Sequence, residues 1–258
     1  MKDKIINALR GFSDTPELDA RFFIEEYPHA NAAQTDDFIA RRRAGEPVAK
    51  ILGHIGFWKY DFLTTADTLD PRPDSETMIE SLLNVYRDKN ASLRILDVGT
   101  GTGCLLLSLL MEYPHATGVG IDISEKALSV AQKNAQKYGL DRVRFERQDM
   151  RFLNLNQKFD LIISNPPYIP TQEVAHLSPS TLFDPVLALD GGSDGLDFYR
   201  VLAQQSVQFL MPNGVVAFEI GQGQQNDVVQ IMNQHRFSLL QSVQDLGGIT
   251  RILLFHLA

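Results

Sequence analysis

Apolar and polar positions divide the chain into a helical N-terminal part and a longer part in which strands alternate with helices. Up to about residue 52 the apolar residues recur at helical spacing. The segment 14–17, Asp-Thr-Pro-Glu, has the form of a capping box that starts one helix, and a second helix is expected from near Thr35 to Gly45. Residues 55–63, with Trp58 and Tyr60 among apolar neighbours, predict a short hairpin.

From Leu93 onward the pattern predicts an α/β fold. Helices are expected at 104–111, from Ser124 to about Tyr138, and at 196–210 and 224–235. The last two strands are close in sequence and predict an antiparallel hairpin that closes the sheet. The apolar segments 94–98 and 159–163 are typical of central strands buried on both faces. Strands are expected at 94–98, 117–121, 143–146, 159–163, 215–220, 237–243 and 250–255.

Pro71 and Pro73 interrupt regular structure before a helix that carries Met78, Ile79 and Leu82, which Asp74 or Ser75 could cap. We therefore expect a small helical domain at 1–73 and a main domain at 74–258. Length permits this division, since 258 residues suffice for a main domain plus a small one.

Composition narrows the functional classes. Cys104 is the single cysteine, which excludes an internal disulfide and fits a reducing, cytoplasmic location. We expect no signal peptide and no membrane span, because no apolar run reaches about 18 residues. The formal net charge of −8 argues against a broad nucleic-acid surface and a stable nucleic-acid complex, although a local basic patch would be compatible with it.

The segment 164–170, Ser-Asn-Pro-Pro-Tyr-Ile-Pro, should follow a buried strand at the sheet edge where ligands bind. Its prolines stiffen the backbone and leave carbonyl oxygens free to accept, and the Asn165 amide oxygen adds an acceptor. Tyr168 supplies a flat face beside them. This arrangement suits a planar group that bears an NH2, with Pro166 and Pro167 shaping the loop. The alternative is a stiff connection in which Asn165 only caps a turn.

A glycine-rich turn, Asp97-x-Gly99-x-Gly101-x-Gly103, follows the first strand of this domain. Glycines let a backbone approach a ligand closely, and the next helix N-terminus offers free N–H groups. Nicotinamide dinucleotide sites carry glycine or alanine where Cys104 stands. Asp97 can instead bind a cationic amine, which indicates a cofactor that bears an amino acid.

Acids also end the next two strands. Asp122 is placed to accept from two ribose hydroxyls. Asp149 could accept from an adenine amino group while Met150 packs on the ring. Each acid alone is commonly a helix cap or a solvated loop residue. Three at successive strand ends beside a glycine turn indicate a nucleoside-bearing cofactor.

Some features leave their interpretation open. Arg72, between two prolines, is either a structural ion pair or a residue of the site. The cluster 41–43, Arg-Arg-Arg, either complements a helix dipole or contacts an RNA-bearing or acidic partner. The irregular stretch 171–192 is too long for a plain connector and is expected to be functional. His54, His115 and His176 are scattered, so we expect no metal site.

The segment 97–103 resembles motif I of class I S-adenosylmethionine-dependent methyltransferases, and Asn-Pro-Pro-Tyr resembles the motif of enzymes that methylate a planar nitrogen. The whole chain resembles the HemK-type peptide chain release factor glutamine methyltransferases. The matching segments span nearly the full length and are, by number, 42–47, 53–57, 71–76, 165–169 and 188–196.

The resemblance implies a doubly wound, seven-stranded methyltransferase sheet, mostly parallel with the last strand antiparallel, and an N-terminal helical substrate-recognition domain with a short hairpin linker. It implies transfer of a methyl group to the glutamine amide of the Gly-Gly-Gln motif of class I release factors. It also implies S-adenosyl-L-methionine as the cofactor and S-adenosyl-L-homocysteine as its product.

The expected site residues fall into three groups. Asn165, Pro166 and Tyr168 are the expected catalytic residues, and these with Pro167 and Arg72 are expected to bind the substrate. The expected cofactor residues are Asp97, Gly99, Thr100, Gly101, Thr102, Gly103, Asp122, Ile123, Asp149, Met150 and Asn165.

The sequence departs from the family pattern at Asp70, which is usually apolar there, at Ser75, usually Thr, and at Asp184, often Glu. Residues 248–251, Gly-Ile-Thr-Arg, replace the commoner Gly-x-Asp-Arg. An alternative activity is methylation of an exocyclic amino group in DNA or RNA, because the NH2 of adenine presents the same shape to the Asn-Pro-Pro-Tyr segment as a glutamine amide does. A third possibility is a methyltransferase fold that recruits a release factor or the ribosome without turnover.

Overall fold

The computed structural model describes all residues, 1–258. The N-terminal part holds four helices and a two-stranded sheet. They are α1 (Lys2–Leu9), α2 (Pro16–Glu26), α3 (Ala32–Arg43), α4 (Val48–Leu52), β1 (His54–Phe57) and β2 (Tyr60–Leu63). The predicted hairpin is confirmed, because β1 and β2 pair antiparallel around a two-residue turn in which Trp58 has a φ of 57°.

The longer part alternates helices and strands as the sequence predicted. Its elements are α5 (Glu76–Val85), β3 (Arg94–Val98), α6 (Cys104–Glu112), β4 (Thr117–Asp122), α7 (Glu125–Lys137), β5 (Val143–Arg147), β6 (Phe159–Ser164), α8 (Thr171–Val174), α9 (Asp197–Phe209), β7 (Leu210–Glu219), α10 (Gln225–Gln234), β8 (Phe237–Gln244) and β9 (Thr250–Leu257).

Seven of these strands form one sheet in the order β5-β4-β3-β6-β7-β9-β8. All neighbouring pairs are parallel except β7 with β9 and β8 with β9, which are antiparallel. The last strand therefore runs against its neighbours, as expected. This confirms the doubly wound α/β sheet with a final antiparallel strand.

Helices cover both faces of the sheet. On one face α5, α6 and the end of α7 pack on strand residues such as Ile95 and Ile163. On the other, α9 and α10 pack on residues such as Leu96 and Ile162. Neighbouring residues of β3 and β6 thus point to opposite cores, which explains why both strands are apolar throughout their centres.

The N-terminal helices have a small core of their own, built around Phe23 and Phe38, whose rings stack 4.5 Å apart. Phe57 and Phe62 of the hairpin instead belong to the core of the larger part. The domain boundary at residues 73 and 74 stays a prediction.

Two predicted helix caps are wrong. Thr15, not Asp14, precedes α2, and no side chain caps that helix. The capping box occurs at α3, where Asn31 and Gln34 bond each other's backbone N–H groups. Ser75 precedes α5 without capping it. Its hydroxyl donates to the Glu219 carboxylate, and its oxygen accepts from Asn165 Nδ2 rather than from a backbone N–H of α5.

Candidate functional site

Parallel strands β3, β4, β5 and β6 all end at one edge of the sheet, and a cavity of about 440 Å³ opens there. The sequence-predicted cofactor residues that line it are Asp97, Gly99, Thr100, Gly101, Thr102, Asp122, Ile123, Asp149, Met150 and Asn165. The fold thus brings together residues that span about 70 positions of sequence, as predicted from their places directly after successive parallel strands.

The turn after β3 is held by main-chain bonds. The N–H groups of Gly99 and Thr100 both donate to the Ile121 carbonyl at 2.9 Å. Gly103 belongs to the turn but does not line the cavity. A Cβ there would lie 3.1 Å from Leu107 Cδ1 and 3.3 Å from Ala131 Cβ, so its absence lets α6 and α7 pack closely.

Asp97 is the most unusual group in the cavity. Its side chain is buried, Oδ2 accepts from the Thr100 hydroxyl at 2.6 Å, and Oδ1 has no partner in the protein. Burial raises the pKa of Asp97 to about 7, against the opposing effect of the Thr100 bond. An unpaired buried carboxylate oxygen fits a cationic donor in the cavity, such as the ammonium of an amino acid.

Asp122 already accepts two backbone bonds, from Gly101 N–H at 3.0 Å and from Ser124 N–H at 2.9 Å. Burial nonetheless raises the pKa of its carboxyl. Each carboxylate oxygen has a second lone pair, so Asp122 keeps capacity for two further hydroxyl donors. Ile123, 45% exposed, lies beside it in the cavity wall.

Asp149 is engaged more fully than the sequence suggested. It accepts from the Arg151 backbone N–H and forms an ion pair with the Arg151 guanidinium at the cavity rim. The Arg151 bond holds the pKa of Asp149 below its usual range. Met150 lies against the glycine turn, its Cε 3.8 Å from where a Cβ of Gly99 would stand.

The Asn165 loop is fixed at both ends. Ser164, at the end of β6, donates its hydroxyl to the Val98 carbonyl at 2.6 Å. Beyond the prolines, Ile169 exchanges bonds with Leu189 and Gly191. The Pro166 carbonyl, in contrast, accepts no hydrogen bond within the protein. The loop is therefore rigid and keeps free acceptors.

A second cavity of about 290 Å³ adjoins the first. Tyr168 lines only this second cavity, and Pro167 only the first. Asn165 and Arg72 line both. The amide of Asn165 therefore stands where the two spaces meet, which is the position a group-transfer site requires.

Glu219, at the end of β7, was missed by the sequence reasoning. Its carboxyl is 2% exposed and accepts from the Ser75 hydroxyl, while the Tyr168 hydroxyl lies 3.5 Å away. Ser75 in turn accepts from Asn165 Nδ2 at 3.3 Å. The sequence does carry a signal for Glu219, because an acid that ends an apolar strand beside β6 must reach the same edge of the sheet.

Arg72 satisfies both interpretations left open. It pairs with Asp184 and also lines the two cavities. Asp184 and Asp70, both departures from the family pattern, share a buried partner in Lys50, whose Nζ lies 2.9 Å from Asp70 and 3.0 Å from Asp184. This cluster joins α4 to the stretch 171–192, part of which lines both cavities.

The basic cluster of α3 is largely engaged within the N-terminal part. Arg41 bonds Glu46, Arg42 bonds Asp19, and the guanidinium of Arg43 lies 4.2 Å from the centre of the Phe12 ring. These contacts account for the cluster in structural terms.

No helix has the length and apolar character needed to cross a bilayer. No group of three or more His, Cys, Asp or Glu side chains is arranged to hold a metal ion.

Comparison with known proteins agrees with this fold. Residues 89–234 match a family model described as a methyltransferase domain. Among solved structures, the ribosomal protein L11 methylase from Lactobacillus delbrueckii subsp. bulgaricus is similar in fold, with a TM-score of 0.53 at 20% identity over 78% of this chain and 88% of that one.

Curated relatives are much closer in sequence. A release factor glutamine methyltransferase from Agrobacterium fabrum is 43% identical over 98% of this chain and 91% of its own length. One from Rhodospirillum rubrum is 49% identical over 84% of this chain and 66% of its own length. A third, from Caulobacter vibrioides, is 36% identical over 93% of this chain and 89% of its own.

Proposed function

The chain belongs to the family of release factor glutamine methyltransferases, and on that premise we propose that it transfers a methyl group from S-adenosyl-L-methionine to a glutamine of class I peptide chain release factors. The acceptor is the side-chain amide nitrogen of the glutamine in the Gly-Gly-Gln motif. The names of the relatives support the substrate class, and the site supports the chemistry.

One observation carries the proposal, namely that Asn165 lies at the junction of two adjoining cavities. The larger is walled by the glycine turn and the strand-end acids, and the smaller by Tyr168. We assign the larger to the cofactor and the smaller to the glutamine side chain. Pro166 is buried and lines neither cavity, and neither its carbonyl nor Asn165 Oδ1 accepts a hydrogen bond within the protein. We assign these two oxygens to the reacting nitrogen.

The cofactor assignment rests on hydrogen-bond acceptors in the cavity that still have room for donors from a ligand. The unpaired Oδ1 of Asp97 would accept from the cofactor ammonium. Asp122 would accept from the two ribose hydroxyls, and Met150 would pack on the adenine ring. Asp149, although paired with Arg151, retains lone pairs for the adenine amino group. Thr100, Gly101, Thr102 and Ile123 complete the wall.

S-adenosyl-L-methionine, when bound, supplies a methyl group attached to a positively charged sulfur. The residues of this chain act on the acceptor, because an amide nitrogen is a poor nucleophile whose lone pair is delocalised into the carbonyl. Asn165 Oδ1 and the Pro166 carbonyl each accept one N–H, which turns the lone pair toward the methyl group. Tyr168 packs on the amide plane.

Positioning of this kind can contribute roughly 7–11 kcal/mol to lowering a barrier. The two acceptors also stabilise the positive charge that develops on nitrogen as the new N–C bond forms. That charge is removed when the methylated nitrogen releases one of its two protons to water. Arg72, between the cavities, would contact the substrate backbone or an acidic side chain near the glutamine. We assign recognition of the rest of the release factor to the N-terminal part, residues 1–73.

The experiment is mass spectrometry of a class I release factor after incubation with this protein and S-adenosyl-L-methionine, with duplex DNA as a parallel substrate. One methyl group on the Gly-Gly-Gln glutamine, and none on DNA, is the expected result. Methylated DNA with an unmodified release factor would overturn the substrate while leaving the chemistry of Asn165 in place. Absence of transfer to either would overturn the proposed reaction.

A further inference from the structure

The buried carboxyl of Glu219 lies beside the Asn165 side-chain amide, which we assign to binding the substrate. β6 and β7 are parallel and in register, with Ser164 opposite Phe218. Asn165, which directly follows β6, and Glu219, the last residue of β7, therefore lie side by side at the sheet edge. Glu219 is 2% exposed, so the hydrogen-bond partners of its carboxyl must come from the protein and not from bulk water.

Asn165, Ser75 and Glu219 form a series of hydrogen bonds in which each donor and acceptor is fixed. An ionised carboxylate can only accept, so the Ser75 hydroxyl must donate to Glu219. The Ser75 oxygen is then left with lone pairs only, and it accepts from Asn165 Nδ2 at 3.3 Å. The NH2 end of the Asn165 amide is thereby turned toward Ser75, which leaves Oδ1 at the other end.

The direction matters because the two ends of an asparagine amide have nearly the same shape but opposite hydrogen-bonding character. Without an acceptor at position 219, the Ser75 hydroxyl could donate to Asn165 Oδ1 and hold the amide turned over. An NH2 group would then meet the NH2 of the substrate. Two donors facing each other cannot hold the substrate nitrogen.

We propose that Glu219, acting through Ser75, is a positioning residue that fixes the Asn165 side chain with Oδ1 toward the substrate amide. The inference rests on the proposed function for its substrate and goes beyond it by naming what orients the acceptor. Nothing in this role requires Glu219 to touch the substrate or the cofactor.

The surroundings of Glu219 support this role. Tyr168 lies on one side with its hydroxyl 3.5 Å from Oε1, and Tyr199 from α9 donates to the Glu219 backbone carbonyl at 2.9 Å. Arg251 from β9 and Asp74 before α5 are the nearby charges, and they contact each other at 3.7 Å. Burial raises the pKa of Glu219 to about 7, which the Ser75 bond, Arg251 and the neighbouring Asn165 side chain oppose.

A protonated Glu219 carboxyl can donate to Ser75 and so loses the one-way character of the hydrogen-bond series. The rate at saturating cofactor and substrate is therefore expected to fall as the pH drops below about 7. Asp97 also titrates near that pH, but it acts on cofactor binding, and saturation with cofactor removes its contribution.

The test compares four single variants of the protein and the double variant Glu219→Met/Ser75→Ala. Glu219→Met and Ser75→Ala each break the hydrogen-bond series from Asn165 through Ser75 to Glu219. Glu219→Gln and Ser75→Thr each keep a hydrogen-bonding group at the same place. Ser108→Ala is the matched control, because Ser108 is buried in α6 and its hydroxyl has no partner. Steady-state kinetics, cofactor affinity and melting temperature are measured for each.

Glu219→Met and Ser75→Ala are expected to lower kcat by roughly 10–100-fold, since small displacements of a positioning group have effects of that size. Cofactor affinity should stay within about threefold, and the double variant should be no worse than either single one. Ser75→Thr should restore kcat, and Glu219→Gln should restore part of it without the loss of rate below pH 7.

A second readout does not depend on turnover. The NMR signal of the Asn165 side-chain NH2 should exchange more slowly with water in the wild type than in Glu219→Met. Wild-type kcat in Glu219→Met, or equal exchange in the two proteins, would overturn the inference. A wild-type protein that methylates no release factor would overturn the proposed function instead, and the exchange measurement would still decide the role of Glu219.

Discussion

The Thr100 hydroxyl donates to Asp97 Oδ2 at 2.6 Å, and the other oxygen of the same carboxylate is buried without a partner. Half of this carboxyl is therefore satisfied by the glycine turn and half is left for a ligand. A buried carboxylate that lacks a donor destabilises the folded protein. The free protein consequently carries a cost that a bound cation would relieve.

Replacement of Asp97 by Asn should stabilise the ligand-free protein at high pH and strongly weaken cofactor binding. Asn can still accept from Thr100 but carries no charge to bury. Because the folded pKa of about 7 exceeds the ordinary value of 3.8, the native state holds a proton that the unfolded state releases between these limits. The contribution of Asp97 to stability is thus present at pH 4 and is lost as the pH rises through 7.

The difference in unfolding free energy between Asp97→Asn and wild type should grow across that interval and level off above pH 7. The shift corresponds to at most about 4 kcal/mol. Urea titrations at several pH values measure it, with the exposed Asp141→Asn as control. Calorimetry should show cofactor affinity reduced by roughly 100-fold or more. A pH-independent difference would contradict this account of Asp97.

Asn165→Ala should abolish methyl transfer while cofactor affinity stays within a few-fold of wild type. Asn165 lines the cofactor cavity, but the strand-end acids supply the groups assigned to cofactor binding. Loss of Oδ1 removes one of two acceptors for the reacting amide. Single-turnover kinetics and calorimetry separate the two effects, with Asn84→Ala on the exposed face of α5 as control. A fully active Asn165→Ala protein would refute the role of this loop.

Much of the sheet and cofactor cavity can be predicted from the sequence because both depend on local patterns. Apolar runs mark the strands, and residues that directly follow a strand must lie at its carboxyl end. The sequence therefore predicts that Asp97, Asp122 and Asn165 lie close together, and the structure brings all three to one cavity.

Contacts between distant segments cannot be predicted in the same way. Glu219 has the pattern of an ordinary strand end, because its role depends on Ser75, 144 positions earlier in the chain. Ser75 likewise has the sequence pattern of a helix cap, although its hydroxyl donates to the distant Glu219. Lys50 gives no signal within a short helix, although its ammonium lies between two carboxylates from later loops. Such pairings are decided by packing.

The Lys50 cluster gives a prediction about stability. The side chains of Lys50, Asp70 and Asp184 are all at least 95% buried, and Lys50 also donates to the Thr65 carbonyl at 2.8 Å. Lys50→Met would leave two carboxylates buried side by side. Removal of one partner from a buried ion cluster typically costs about 3–5 kcal/mol. Urea unfolding of Lys50→Met should show a loss of this size.

Further removal of Asp70 should recover part of that loss. In Lys50→Met/Asp70→Leu the remaining Asp184 still pairs with Arg72, so one uncompensated charge is gone. Well-packed apolar replacements of buried ions are often neutral or stabilising. A double variant that is less stable than Lys50→Met would show that the two carboxylates do not repel each other, contrary to the geometry.

Gly195 explains why the glycines of the segment 188–196 matter for the site. Gly195 has a φ of +75°, and a Cβ there would lie 2.3 Å from the Tyr168 carbonyl oxygen. That carbonyl accepts from Gln224 Nε2 at 2.9 Å, so it cannot move away without breaking a bond. Gly195→Ala should therefore displace Tyr168, which we assign to the amide plane of the substrate.

Gly139→Ala is the matched control, because Gly139 has a similar φ of +63° and no atom lies within 4 Å of where its Cβ would stand. Both variants incur the backbone cost of a left-handed alanine, about 1 kcal/mol. Only Gly195→Ala should also reduce kcat, by roughly 10–100-fold, with cofactor affinity little changed. Equal kcat in the two variants, measured on the release factor, would mean that the Tyr168 loop tolerates the methyl group and that its rigidity is not needed for transfer.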